Sequence, residues 1–174
     1  PSELYFFNEN LQAYFGEEND SKFLDLDFYK SAIHKHGEHI VKEFVIKLGV
    51  KTTPSIESVS RWSVWHLSDR IREQITTSKF QEYSVKDYEL EGFEEFCNRD
   101  EISSSTSFYL WNEVLPAIGF SKYENLIIDF RRPYARTFEQ AHYISTFKDA
   151  LKHNQWLVDV DGCLVSAEEV ALED

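Results

Sequence analysis

The strongest periodic pattern in the chain lies in "DFYKSAIHKHGEHIVKEFVIKL", residues 27 to 48. Phe28, Ala32, Ile33, His36, Ile40, Phe44, Val45 and Leu48 recur there at helical spacing, and Gly49 follows as a C-terminal cap. The pattern predicts one long helix with one inward apolar face. After the turn "GVKTTPSI", Pro54 introduces a second predicted helix, whose stripe runs through Val59, Ser63, Leu67, Ile71 and Ile75 and is widened by Trp62 and Trp65. A short acidic helix is predicted between Lys86 and Asn98 through Leu90, Phe93, Phe96 and Cys97. "STSFYLWNEVLPAIG" predicts another through Phe108, Trp111, Val114, Leu115 and Ile118, with Pro116 and Gly119 setting its end.

The pattern changes after Gly119. "NLIIDF" is β-branched and strand-like, "HYISTFKDALKHN" returns to helical spacing, and "QWLVDVDGCLVS" reads as a hairpin with Asp161-Gly162 at its turn. A fresh helix start follows, because Ser166 and Glu169 have the spacing of a capping box. Trp156 is expected to anchor the hairpin on the core beside Phe147 and Leu151, where its large ring buries the most surface. The expected fold is therefore α+β and mainly helical, with about five or six helices through Gly119 and a small strand, helix and β-hairpin unit at the C-terminal end. Residues 1–174 are expected to form a single domain, with 1–119 as its helical part and 120–174 as its smaller α/β part.

Composition narrows the function classes. Aromatic residues make up 16% of the 174, enough for a substantial core without disulfides or structural metal. The 31 acidic side chains outnumber the 18 basic ones, for a net charge of -13. Such a field repels phosphate backbones and anionic membranes, so nucleic acid and membrane are disfavoured as partners. Cys97 and Cys163 form no metal-binding or redox spacing, which points to a reduced, cytoplasmic setting. No apolar run has the length of a membrane span, and the opening "PSELYFF" reads as the start of a segment cut from a larger chain.

Two clusters carry candidate chemistry. "HKHGEH" places His34, His36 and His39 near Glu38, a set from which a small metal-binding enzyme would be built. Against it, His36 lies on the predicted apolar stripe, His34 points away from it, and Gly37 weakens the helix between them. "RRPYAR" supplies Arg131, Arg132, Tyr134 and Arg136, a patch able to hold phosphate in arginine forks and to stack a base on the tyrosine. With a helix and a hairpin after it, the patch resembles part of a winged-helix nucleic-acid-binding module. Arginines paired with the protein's own carboxylates are the simpler reading of it. Glu94 and Asn98 have the E-x-x-x-N spacing of GHKL-type ATPases, but the glycine-rich motifs that must follow are missing. "ISSSTS" is read as a loop ending in a helix N-cap, and there is no G-x-S-x-G elbow or phosphate-binding loop. No catalytic, cofactor-binding or metal-ligating residue is assigned.

Several pieces in sequence order, "FLDLDFYKSA", "FVIKLGVKTTPSI", "KDYELEGFEEF", "STSFYLWNEVL" and "YISTFKDALKHNQWLVDVDGCLVSAEEVALED", give the chain a family likeness. Together they resemble an internal region of large, mostly bacterial, sacsin-like proteins that carry an N-terminal GHKL-type ATPase domain. The resemblance implies a non-catalytic structural or protein-interaction module of a chaperone-like parent. ATP and magnesium would belong to the parent's upstream domain, and the partners would be other domains of the same polypeptide or a protein. It carries over no functional residue, because the shared motifs are packing patterns.

Overall fold

The computed structural model describes residues 3–61, 64–76, 81–131 and 136–170. The fold is α+β, and the chain divides into two units, Pro1–Pro54 and Ser55–Asp174. The main sheet takes strands from both sides of Gly119.

In the first unit, helix α1 (Glu9–Phe15) starts where the Asn8 side chain accepts hydrogen bonds from the N–H groups of Asn10 and Leu11. Helices α2 (Lys30–His36) and α3 (Glu38–Lys47) follow. The long helix expected over residues 27–48 is broken between them. Gly37 sits at φ +86° and ψ 151°, a conformation open in practice only to glycine, so it ends α2 and begins α3 in a new direction. Tyr5 lies extended between Phe23 and Lys51, bridged in parallel to both. Phe6, Val41, Val45 and Val50 form the core here, with Leu24, Leu26, Tyr29, Ala32 and Ile33 packed against them.

The second unit is built on a four-stranded antiparallel sheet in the order β1 (Ile56–Arg61), β2 (Gln81–Leu90), β3 (Asn125–Arg131) and β4 (Glu139–Ile144). Two predicted helices are therefore corrected. Residues 56–61 are a strand, and the expected stripe is helical only in α4 (Asp69–Thr76), which brings Ile71 and Ile75 inward. Trp65 is exposed, and Trp62 and Ser63 lie outside the described residues. The predicted acidic helix is strand β2 through Leu90, and only α5 (Phe93–Cys97) is helical. Val64, Leu67, Ile71, Ile75, Val85, Leu126, Ile128 and Phe130 make the core between α4 and the sheet.

The predicted Trp111 helix is present as α6 (Ser104–Tyr109), a π turn (Leu110–Val114) and α7 (Leu115–Ile118). Ser103 caps it, its hydroxyl accepting the Thr106 N–H at 3.2 Å. The π turn holds an extra residue and shifts the phase of the helix. Tyr109, Leu110, Val114 and Leu115 are buried, while Phe108 and Trp111, both expected on the apolar face, are exposed.

The helix expected over residues 142–154 is shortened, since His142, Tyr143 and Ile144 belong to strand β4 and α8 (Thr146–His153) starts only after the Ser145 cap; β5 (Gln155–Val158), β6 (Leu164–Ser166) and α9 (Ala167–Val170) follow in the expected order. Gly162 turns the β5–β6 hairpin at φ +82°. The capping box closes as predicted, with the Ser166 N–H donating to Glu169 Oε2 at 2.6 Å and the Glu169 N–H to Ser166 Oγ at 3.3 Å. Trp156 is 1% exposed and donates its Nε1–H to the Leu151 carbonyl at 2.8 Å.

Candidate interaction face

The break at Gly37 decides which side chains of the first unit meet solvent. A continuous helix would bury one stripe from Phe28 to Leu48. After the break, Val41 and Val45 point into the core with Ala32 and Ile33, and the other apolar positions turn outward. Ile40 is 53% exposed, Phe44 54% and Leu48 52%. Spaced four residues apart, they form one stripe along α3, with Glu43 and Lys47 exposed on the same flank of it. Phe28, also expected in the core, is exposed as well.

The histidines do not converge. His34 and His36 occupy the last turn of α2, His39 lies beyond the Gly37 break, and all three are exposed. His39 Nε2 instead meets Glu43 Oε1 at 3.3 Å along α3. Among the described residues, no group of three or more His, Cys, Asp or Glu side chains is placed to hold a metal ion.

In the arginine patch, Arg131 ends β3 and is exposed, and Arg136 is exposed in the connection to β4. Arg132 and Tyr134 lie outside the described residues. Strand β4 follows Arg136 and precedes the helix and hairpin of the winged-helix expectation. Glu94 and Asn98 serve helix α5 locally, the Asn98 N–H closing the helix on the Glu94 carbonyl at 3.1 Å.

Two buried carboxylates carry polar networks that the sequence did not reveal. Asp87 is 0% exposed and follows Val85 on the inner face of β2. It accepts the Tyr88 N–H at 2.8 Å, the Thr146 N–H at 3.0 Å and the Thr146 hydroxyl, so a strand carboxylate tops the N-terminus of α8. Ser145, the N-cap of that helix, accepts the Lys148 N–H at 3.1 Å. Asp149, inside α8, accepts Ser68 Oγ–H at 3.1 Å and Arg70 Nη2–H at 3.2 Å, and it faces His153 Nδ1 at 3.1 Å. Ser68 therefore points its hydroxyl at the Asp149 carboxylate. These charges tie α4 and α8 together through fully formed bonds.

Burial pushes the Cys97 thiol up to about 12, so it stays protonated and is a poor nucleophile near neutral pH. Cys163 is a free thiol and exposed. Among the described residues no helix is long and apolar enough to cross a membrane. No family model matches the chain, and no curated protein or solved structure matches it.

Proposed function

We propose that the chain is a non-catalytic protein-recognition module of a larger, chaperone-like polypeptide that carries its ATPase domain elsewhere. The observation that carries this reading is the Ile40, Phe44 and Leu48 stripe, three large apolar side chains each more than half exposed on a single helix face. A helix that served only its own core would put polar residues there. Contiguous exposed apolar surface is the ordinary mark of a site where another protein packs. The buried titratable groups support a non-catalytic role, since Asp87 and Asp149 are engaged in caps and ion pairs between elements. The larger polypeptide is supported by the family likeness of the sequence alone.

A photo-cross-linking residue placed at position 44 tests this in the cells that make the protein, with position 57 on β1 as an exposed control. The expected result is a cross-link mapped to a defined protein segment from position 44 and lost on Leu48→Asp. No protein cross-link above the control would refute the reading.

A further inference from the structure

The α3 stripe is complementary to itself, and we infer that its occupant is the same stripe on a second copy of this chain, packed antiparallel about a two-fold axis through Phe44. The inference rests on the recognition reading and gives it a partner. An isologous contact requires each position to face an acceptable position on the same surface. About a centre at Phe44, the antiparallel arrangement sets Ile40 of each copy against Leu48 of the other and Phe44 against Phe44. Apolar positions then meet only apolar positions along the stripe.

The charges on the flank choose the direction. Glu43 and Lys47 are exposed on the same side of the stripe, one helical turn apart. In an antiparallel pair that flank faces its own copy reversed, so each Lys47 lies about 3 Å along the axis from the opposing Glu43 at 1.5 Å rise per residue. That offset is well within the reach of a lysine. A parallel pair would turn that flank toward the opposite flank of the other copy, where Val41 and Val45 are already buried in their own core, and would leave Glu43 and Lys47 without opposing charges. Antiparallel packing also opposes the two helix dipoles.

The area sets the strength. Three half-exposed large side chains offer on the order of 300 Å² per copy, by comparison with ~150–250 Å² for a fully buried aromatic one. The pair therefore hides roughly 600 Å² from the stripe alone, less than a standard stable interface of about 1,200 Å² or more. The dimer is accordingly a weak, concentration-dependent one.

Sedimentation equilibrium of the full chain from about 10 µM to 1 mM measures this directly, with circular dichroism to confirm that each variant folds. The expected result is a monomer–dimer equilibrium that Phe44→Asp weakens at least about tenfold and that Glu43→Lys weakens by several-fold. The double exchange Glu43→Lys with Lys47→Glu should restore the wild-type Kd, because the two-fold pairing survives a swap of signs. A monomer throughout, or a double exchange no better than Glu43→Lys alone, overturns the antiparallel dimer. If the chain stays monomeric while position 44 cross-links to a different polypeptide, the recognition reading stands without the dimer. If it stays monomeric and position 44 cross-links to nothing, both fail.

Discussion

Replacing Trp156 with alanine should remove the second unit's largest single anchor. Its indole is 1% exposed, lies 5.9 Å from the Phe93 ring in an edge-on pair and stacks at 6.1 Å against the Trp111 ring. Its Nε1–H also satisfies the Leu151 carbonyl in the last turn of α8, where helix carbonyls have no partner of their own. Truncating a buried Trp to Ala costs about 3–5 kcal/mol. The ring pairs, at about 0.5–1.5 kcal/mol each, and the hydrogen bond, at about 1 kcal/mol, fall within that figure. Trp156→Phe separates the contributions, because it keeps most of the burial, loses the donor and should cost only about 1–2 kcal/mol. For a unit of this size, the alanine variant should lower the thermal midpoint by on the order of 10–20 °C. Urea unfolding followed by hydrogen exchange at peptide resolution reads each unit separately, which matters because two units need not unfold as one. An alanine variant that loses less than about 1 kcal/mol, or a phenylalanine variant that loses as much as alanine, would refute this account of the anchor.

Three further outcomes follow from local geometry. Ser166→Ala removes the hydroxyl that accepts the Glu169 N–H and should cost about 1 kcal/mol, with faster amide exchange over α9; unchanged exchange there would dismiss the capping box. Gly37→Ala meets no atom within 4 Å and so adds only backbone strain at φ +86°, about 1–3 kcal/mol in the urea midpoint, and an unchanged midpoint would show that the joint does not need glycine. Burial raises the Cys97 thiol from 9.0 to about 12, and burial followed by the Glu113 charge raises Tyr109 from 10.0 to about 12. Both are held neutral in the folded chain, so their contribution is fully present below pH 9 and is lost as pH climbs toward 12. Cys97→Ala should flatten the first part of that decline, and a thiol reagent at pH 8 should label Cys163 long before Cys97; equal labelling rates would contradict the burial of Cys97.

Signals local in sequence were legible. The Ser166 and Glu169 box, the β3 run and Gly162 each depend on residues a few positions apart, and each stands where the sequence put it, whereas the helix expected after a loop over residues 102–107 already begins at Ser104, capped by Ser103. The misread strands have physical causes. Burial along β1 does not alternate cleanly, and the spacing of Val59, Leu67 and Ile71 passes for a helix. In β2 the inward position after Val85 is Asp87, an acid where a strand pattern calls for an apolar residue. It lies there because it caps α8 across a long sequence separation, and no periodicity within β2 announces that. The phase of the Trp111 helix was misread as well: its inward face is Thr106, Ser107, Tyr109 and Leu110 before the π turn, and the extra residue of that turn keeps Val114 and Leu115 on the same side.

The interaction face was hidden by a different cause, and that cause explains why it exists. Helical spacing counts every apolar residue from Phe28 to Leu48 toward one face, as if the helix ran unbroken. Gly37 gives α2 and α3 separate axes, so each helix supplies its own inward pair, Ala32 with Ile33 and Val41 with Val45. Phe6 and Val50 pack on those residues, and the cluster they form does not include Ile40, Phe44 or Leu48. Their exposure is therefore surplus to folding and not a failure of packing, because the neighbouring face of the same helix is fully buried at Val41 and Val45. A helix with one face filled and the next bare gains from meeting a second apolar surface. The alternating Glu43 and Lys47 beside the stripe make its own reversed copy the surface that fits.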